Sequence, residues 1–236
     1  VIMPGVLTLV FAGLYFWFPG FGIPAIISLL CFLYFAYARR AFSLRGGNIQ
    51  ARVQGLALDH ITDWDGVGRV LDIGCGNGPL TIQIAKKYPQ AQVVGIDSWG
   101  AAWEYSKGVC ERNAAIEGVA GRASFERASA LSLPFEDGAF DVVVSNLVFH
   151  EVRDARDKQA LIREALRVLK PGGRFALQDL IYWKQVYGPV DDLLAAIKSW
   201  GIAAVECVET RRSGFIPKAL MLPFMLGTLG LLHGRK

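Results

Sequence analysis

The sequence predicts an α/β fold: a doubly wound, mostly parallel seven-stranded sheet with a C-terminal antiparallel hairpin, preceded by an apolar helical hairpin. Three observations carry this expectation. From Arg69 onward, short runs rich in Val, Ile and Phe alternate with stretches of helical length, the pattern of strands covered on both faces by crossover helices. The first such strand ends in a glycine turn, "GCGNG" at Gly74 to Gly78, which opens directly into a helix. Residues 1–38 contain no Asp, Glu, Lys, Arg or His.

Val1 to Phe18 and Ile23 to Ala38 are uncharged apolar runs separated by the turn signal "PGFG", Pro19 to Gly22. Each is close to the roughly 20 residues that cross a bilayer core as a helix. Together they predict a membrane-associated hairpin over residues 1–41 that either crosses twice or dips in and returns. Tyr15, Trp17, Tyr34 and Tyr37 fall near its ends, as interfacial aromatics do. The next charges are Arg39, Arg40, Arg45 and Arg52, and Asp59 is the first acid. By the positive-inside rule, the domain over residues 42–236 then faces the cytoplasm, with the chain located at the membrane. "AYA" at Ala36 to Ala38 resembles a signal-peptidase site, but the apolar region is long and double for a simple leader.

Gly46-Gly47 reads as a linker, and Asn48 as the cap of a helix to Ile61, with Ile49, Val53, Leu56 and Ile61 near helical spacing. "DWDG" turns the chain into a strand from Arg69 to Ile73. Pro79 stands where a first-turn proline is tolerated, and Leu80, Ile84 and Ala85 form the buried face behind it. "AQVVGI" is the second strand. A helix from Trp103 to Glu117, a strand from Ala123 to Arg127, the "LPFEDGAF" turn and the strand "DVVVSN" follow. A helix from Asp157 to Leu169 is ended by "KPGG", and the strand "RFALQD" succeeds it. Asp191 and Asp192 open the next helix, which stops at Gly201. "AVECVETRR" and "TLGLLHGRK" read as an antiparallel pair. The apolar segment between them, broken by Pro217 and Pro223, is expected to cover a pocket or touch lipid.

Composition narrows the function classes. The chain of 236 residues is mildly basic at +4, yet no Lys/Arg stripe with interleaved aromatics appears, which argues against nucleic acid. Cys31, Cys75, Cys110 and Cys207 show no C-x-x-C spacing, so reduced thiols of a cytosolic domain are expected. No cluster of His, Cys, Asp and Glu has metal-ligand spacing, so no metal is expected. Gly74, Gly76 and Gly78 are spaced more tightly than the G-x-G-x-x-G of dinucleotide sites. Asp97, at the tip of the second strand, suits ribose hydroxyls, but several nucleotide sites share that feature, so the turn alone leaves the ligand open.

The larger pattern resolves this. "VLDIGCGNG", the acid Asp97, "ASALSLPF", "FDVVVSNLVFHEV" and "REALRVLKPGG" occur in the order found in class I S-adenosylmethionine-dependent methyltransferases. The chain from Asn48 to Lys236 resembles that Rossmann-like family, and within it the small-molecule branch that includes quinone-biosynthesis methyltransferases. The resemblance implies S-adenosyl-L-methionine as cofactor. Asp72, Gly74 and Gly76 would line its methionine part, with Gly78 closing the turn. Asp97 would bind its ribose, Ser129 would meet the adenine amino group and Ala130 would offer its backbone N–H to adenine. Asn146 would lie near the methionine end, with Cys75, a small turn residue, and Ser98 as further cofactor-binding positions. Trp99 would stack on adenine, with Trp103 and Tyr105 lining the pocket. Two departures stand out: Ser129 replaces a common Asp, and "SWGAAWEYSKG" is longer than usual.

Methyl transfer from a sulfonium needs an in-line approach and excluded water, and a base only where the nucleophile must lose a proton. His150, just beyond the fourth strand, is the candidate base, with Asp179 and Glu151 as weaker ones. The apolar hairpin favours a small lipophilic acceptor such as a quinone or lipid, with Lys218, Arg211 and Arg212 meeting anionic head groups. An NAD oxidoreductase would leave "LPFEDGAFDVVVSN" unexplained. A non-catalytic cofactor-binding scaffold, or a methyltransferase of a water-soluble molecule, remain the alternatives.

Overall fold

The computed structural model describes residues 2–100, 106–223 and 225–236, in two compact units, Val1–Val53 and Gln54–Lys236. In the first unit, α1 (Ile2–Tyr15) and α2 (Gly22–Phe42) pack against each other across a 3-10 turn at Pro19–Phe21. The helices are unequal, unlike the two similar runs of the sequence. The 14 residues of α1 span about 21 Å, short of a hydrocarbon core of about 30 Å, whereas the 21 of α2 span about 31 Å. Phe18 stays outside both helices because Pro19 forces it into an extended conformation. No residue of α1 is buried, and Phe16 is 89% exposed.

α3 (Ile49–Asp59) follows. Asn48 stands at φ 51, in the left-handed region instead of the extended conformation of an N-cap, so the expected cap is not formed.

The second unit is the doubly wound sheet. In chain order its elements are β1 (Gly68–Ile73), α4 (Pro79–Lys87), β2 (Ala91–Asp97), α5 (Lys107–Ile116), β3 (Ala123–Arg127), β4 (Phe140–Asn146), α6 (Lys158–Arg167), β5 (Leu169–Asp179), α7 (Lys184–Tyr187), α8 (Val190–Ser199), β6 (Ala204–Glu209) and β7 (Gly230–Arg235). The strand order is β3-β2-β1-β4-β5-β7-β6, parallel except for β7, which runs antiparallel to both β5 and β6. Alternate side chains of each strand go to opposite layers. Leu71, Val143 and Phe175 join Leu161, Ile162, Leu193 and Ile197 on one face, while Val70, Val142 and Ala176 join Ala57, Leu80, Ile84 and Cys110 on the other.

Two expectations about boundaries change. α6 stops at Arg167, and "KPGG" lies inside β5, where Leu169 pairs with Phe140 and the register slips before Arg174 pairs with Val142. The proline-glycine pair therefore makes an irregularity within the strand, held by Lys170 Nζ on Asp141 at 2.8 Å. α5 begins at Lys107, capped by Ser106; Trp103 and Tyr105 lie outside the described residues.

The topology decides where chemistry can occur. Asp97, Asn146 and Asp179 end their parallel strands on one edge of the sheet. Gly230 pairs with both Asp179 and Glu209, so the chain leaves the sheet after Glu209 and re-enters it at Gly230 on that same edge.

Candidate functional site

The glycine turn is built from the backbone outward. Gly74 N and Cys75 N both donate to Ile96 O (2.8 and 2.9 Å), tying the turn to β2. Gly74 has φ 74, and a Cβ there would overlap the Val148 methyls and lie 2.8 Å from Val148 Cβ. Glycine is thus required twice, for its dihedral and for the side chain laid across it. Gly76 N donates to Asp97 Oδ2 at 2.9 Å, and Gly78, in the left-handed conformation, starts α4 directly before Pro79.

Asp97 is held on both oxygens, since Oδ1 accepts from Trp99 N at 2.9 Å. Trp99 sits at φ 39, and its indole N–H donates to Gly76 O at 2.9 Å. Its ring is thereby pinned to the glycine turn. Ser98 is exposed, and its carbonyl accepts from Arg127 Nε at 2.9 Å. Ser129 is exposed and its hydroxyl already accepts from Leu131 N at 3.2 Å; Ala130 beside it is half-buried.

Asp72 is buried beneath the turn, where Oδ2 accepts from Thr81 Oγ1 at 2.6 Å. Burial pushes its carboxyl up to about 7, partly offset by the Thr81 hydrogen bonds and reinforced by the Asp97 charge. Cys75 is buried against Cys110; the hydrogen bond between the thiols, then burial, push its thiol far up. It is a packing residue, with Cys110 Sγ turned to Gly76 O at 3.1 Å.

The second half of the site lies beyond β4 and β5. Asp179 is buried at 1% exposure and collects backbone donors: Val148, Phe149 and His150 N–H on Oδ2 (3.2, 2.7 and 3.3 Å), and Leu180 N–H on Oδ1 at 2.6 Å. His150 Nδ1 meets the same Oδ1 at 2.6 Å. Burial pulls the His150 imidazole down, but the Asp179 hydrogen bond and charge, with Glu151, hold it above the ordinary histidine value. Glu151 is exposed, with Oε1 3.9 Å from His150 Nε2. The three acid–base candidates are therefore one assembly: a half-buried imidazole, a buried carboxylate that fixes its tautomer, and an exposed acid at its outer nitrogen.

Several residues that join these halves were not singled out from sequence. Val148 offers its N–H to Asp179 and its side chain to Gly74, so one residue links the cofactor turn to the dyad. Leu147, at φ 59, makes the sharp exit from β4 that permits this. Thr81 holds Asp72. Each depends on contacts between distant segments, which periodicity does not encode. Past Asp179, Tyr182, Trp183, Lys184 and Gln185 face Pro223 and Thr228 across an open groove of about 420 Å³. Tyr182 N donates to Thr228 O at 2.9 Å, which places the apolar segment beside this strand end. Arg211 and Arg212, offered by the sequence to lipid head groups, both pair with Glu209, whose side chain is 11% exposed.

These residues fit S-adenosylmethionine. Asp97, at the glycine turn, keeps lone pairs beyond the two it uses. Among the described residues, Asn77 Oδ1 and Asn146 Oδ1 are buried with no hydrogen-bond partner. Such acceptors are costly unless a donor arrives.

A family model described as a methyltransferase domain matches residues 65–220, well over half the chain. The ubiquinone/menaquinone biosynthesis C-methyltransferase UbiE of Geotalea daltonii is 31% identical over 126 residues, covering 51% of this chain and 51% of that protein. The 27-O-demethylrifamycin SV methyltransferase of Amycolatopsis mediterranei is 40% identical over 116 residues, 48% of this chain and 39% of that one. Across the first matching relatives the aligned part spans between 32% and 62% of their own lengths. The fold is similar to phosphoethanolamine N-methyltransferase 2 of Haemonchus contortus in complex with S-adenosyl-L-methionine, at TM-score 0.58 and 20% identity, over 86% of this chain and 56% of that one. It is also similar to geranyl diphosphate methyltransferase in complex with the same compound, at TM-score 0.54 and 17% identity, over 77% and 83%. With the ordered motifs, the sheet order and the family match in agreement, the chain belongs to the class I S-adenosylmethionine-dependent methyltransferases, with S-adenosylmethionine as its cofactor.

Proposed function

We propose that this protein is a membrane-associated methyltransferase that methylates a small lipophilic acceptor, such as a quinone or a lipid. One observation carries the choice of acceptor. An apolar groove lined by Tyr182, Trp183, Pro223 and Thr228 lies just past the strand end that holds Asp179, in a chain whose helix α2 is long and apolar enough to cross a bilayer. Most of α2 is exposed, with 6% of its most apolar stretch buried, where the core helix of a soluble protein would be covered.

When bound, S-adenosylmethionine supplies an electrophilic methyl on a sulfonium, whose thioether leaves as a neutral group. The glycine turn, Asp72 and Asn146 would hold its amino-acid end, Asp97 and Ser98 its ribose, and Ser129, Ala130 and Trp99 its adenine. Asp179 accepts the Nδ1 proton of His150 and so leaves Nε2 free to accept a proton. In this reading His150 removes a proton from the acceptor's hydroxyl, amine or activated carbon at Nε2, and Glu151 stabilises the resulting imidazolium. Tyr182, Trp183 and Pro223 exclude water from the acceptor's apolar part. The catalytic unit would work at the cytoplasmic surface.

The test is transfer of labelled methyl from S-adenosylmethionine to a total membrane-lipid extract, comparing the intact chain with Asp97→Ala and His150→Ala. Label in an organic-soluble product, lost in Asp97→Ala and strongly reduced in His150→Ala, is expected. Label absent from the lipid fraction while the cofactor still binds would refute the lipophilic acceptor. Such a result favours a water-soluble acceptor or a non-catalytic role.

A further inference from the structure

The unit Val1–Val53 contains no acidic residue, and its charges are Arg39, Arg40, Arg45 and Arg52. Three of these belong to one built feature. Arg39 and Arg40 occupy the last turn of α2, and the chain then folds back on that turn. Ser43 N donates to the carbonyls of Arg39 and Arg40 (3.1 and 3.2 Å), Gly47 N to Arg40 O (3.4 Å) and Asn48 N to Ser43 O (3.1 Å).

This reversal depends on its two glycines. A Cβ on Gly46 would overlap Arg40 O and lie 2.7 Å from Arg40 C, and one on Gly47 would lie 2.7 Å from Ala41 O. Those neighbours are backbone and cannot swing away. The turn therefore returns Arg45 to the end of α2, where Arg39, Arg40 and Arg45 are all exposed. Leu44, at 82% exposure, stands at its tip. The feature follows directly on the apolar stretch of α2, at the level where a spanning helix leaves hydrocarbon for phosphate. Guanidinium groups there reach phosphate oxygens in pairs of hydrogen bonds, and the unit holds no acid to neutralise them.

We propose that Arg39, Arg40 and Arg45 form a collar that binds anionic phospholipid head groups, with Leu44 entering the interface. This rests on the membrane reading above and adds to it a lipid preference with a named site. The site is separate from Arg211 and Arg212, which pair with Glu209.

The test is competitive flotation of the full chain, diluted from detergent into a mixture of phosphatidylcholine vesicles and denser vesicles of phosphatidylcholine with phosphatidylglycerol. Each arginine near an anionic surface is worth about fivefold, so the intact chain should favour the anionic vesicles by roughly a hundredfold, falling with added salt. The variant Arg39→Gln/Arg40→Gln/Arg45→Gln should distribute evenly between the two, with S-adenosylmethionine affinity unchanged as evidence of a folded second unit. Even distribution of the intact chain, or an anionic preference retained by the variant, would overturn the collar and leave the membrane reading standing. Recovery of the intact chain on neither vesicle would remove both.

Discussion

Replacing Gly74 by Ala isolates the contact that joins the cofactor turn to the dyad. Alanine at φ 74 costs about 1–2 kcal/mol for the left-handed backbone. The new methyl also overlaps both Val148 methyls and sits 2.8 Å from Val148 Cβ, an overpacking worth about 1–3 kcal/mol. Gly74→Ala should therefore lose about 2–5 kcal/mol. In a Val148→Ala background the methyl overlaps vanish while the 2.8 Å contact with Cβ remains, so Gly74→Ala should then cost less than in the intact chain but still more than its dihedral alone. The cycle should show a coupling of about 1–2 kcal/mol, within the range for residues in contact. Urea unfolding of the second unit in the full chain, held in mild detergent and followed by tryptophan fluorescence, measures the four stabilities. S-adenosylmethionine affinity by calorimetry should recover in part in the double variant. A coupling below about 0.5 kcal/mol would mean that Val148 does not demand the glycine, and the link between turn and dyad would fall.

Three further outcomes test the acid–base pair, the buried Asp72 and the ring contact between His60, just after α3, and His233 of β7. If His150 is the base, it acts neutral, so kcat/KM should rise with pH through an apparent value above the ordinary 6.5; His150→Ala should lose about a hundredfold or more. Asp179→Asn should move that limb to lower pH, and an unmoved limb would discard the pairing as its cause. Because the His150 value is raised in the fold, its stabilising effect is full below 6.5 and fades as pH rises through the folded value. For Asp72, raised from 3.8 to about 7, stability should decline as pH climbs across that window, and Asp72→Asn should flatten the decline. An unchanged slope in urea titrations would show that Asp72 is not the group responsible. His233 is lowered by burial and by His60, whose ring lies 4.6 Å away, so His60→Gln should raise the His233 titration point seen by NMR. A constant titration point would exclude coupling between the two rings.

Much of this protein was legible in its sequence because the deciding physics is local. Alternating apolar strands and helices specify a doubly wound sheet. The tight glycine spacing specifies a turn that only glycine dihedrals can make, and an acid at the tip of β2 follows from chain order alone. The absence of charge before Arg39 likewise announces apolar helices. What sequence could not decide depends on which distant groups meet. Asp179, His150 and Glu151 read as three separate candidates, and only the crossover from β4 to β5 turns them into one hydrogen-bonded assembly. Val148 was an ordinary apolar residue until the fold laid it across Gly74. "KPGG" is a helix stop by local propensity, yet pairing with β4 drew Leu169 into a strand. Propensity and periodicity act over a few residues, whereas these contacts join segments up to 74 positions apart in the chain (Gly74 and Val148, 148 − 74), and only the assembled sheet brings their ends together.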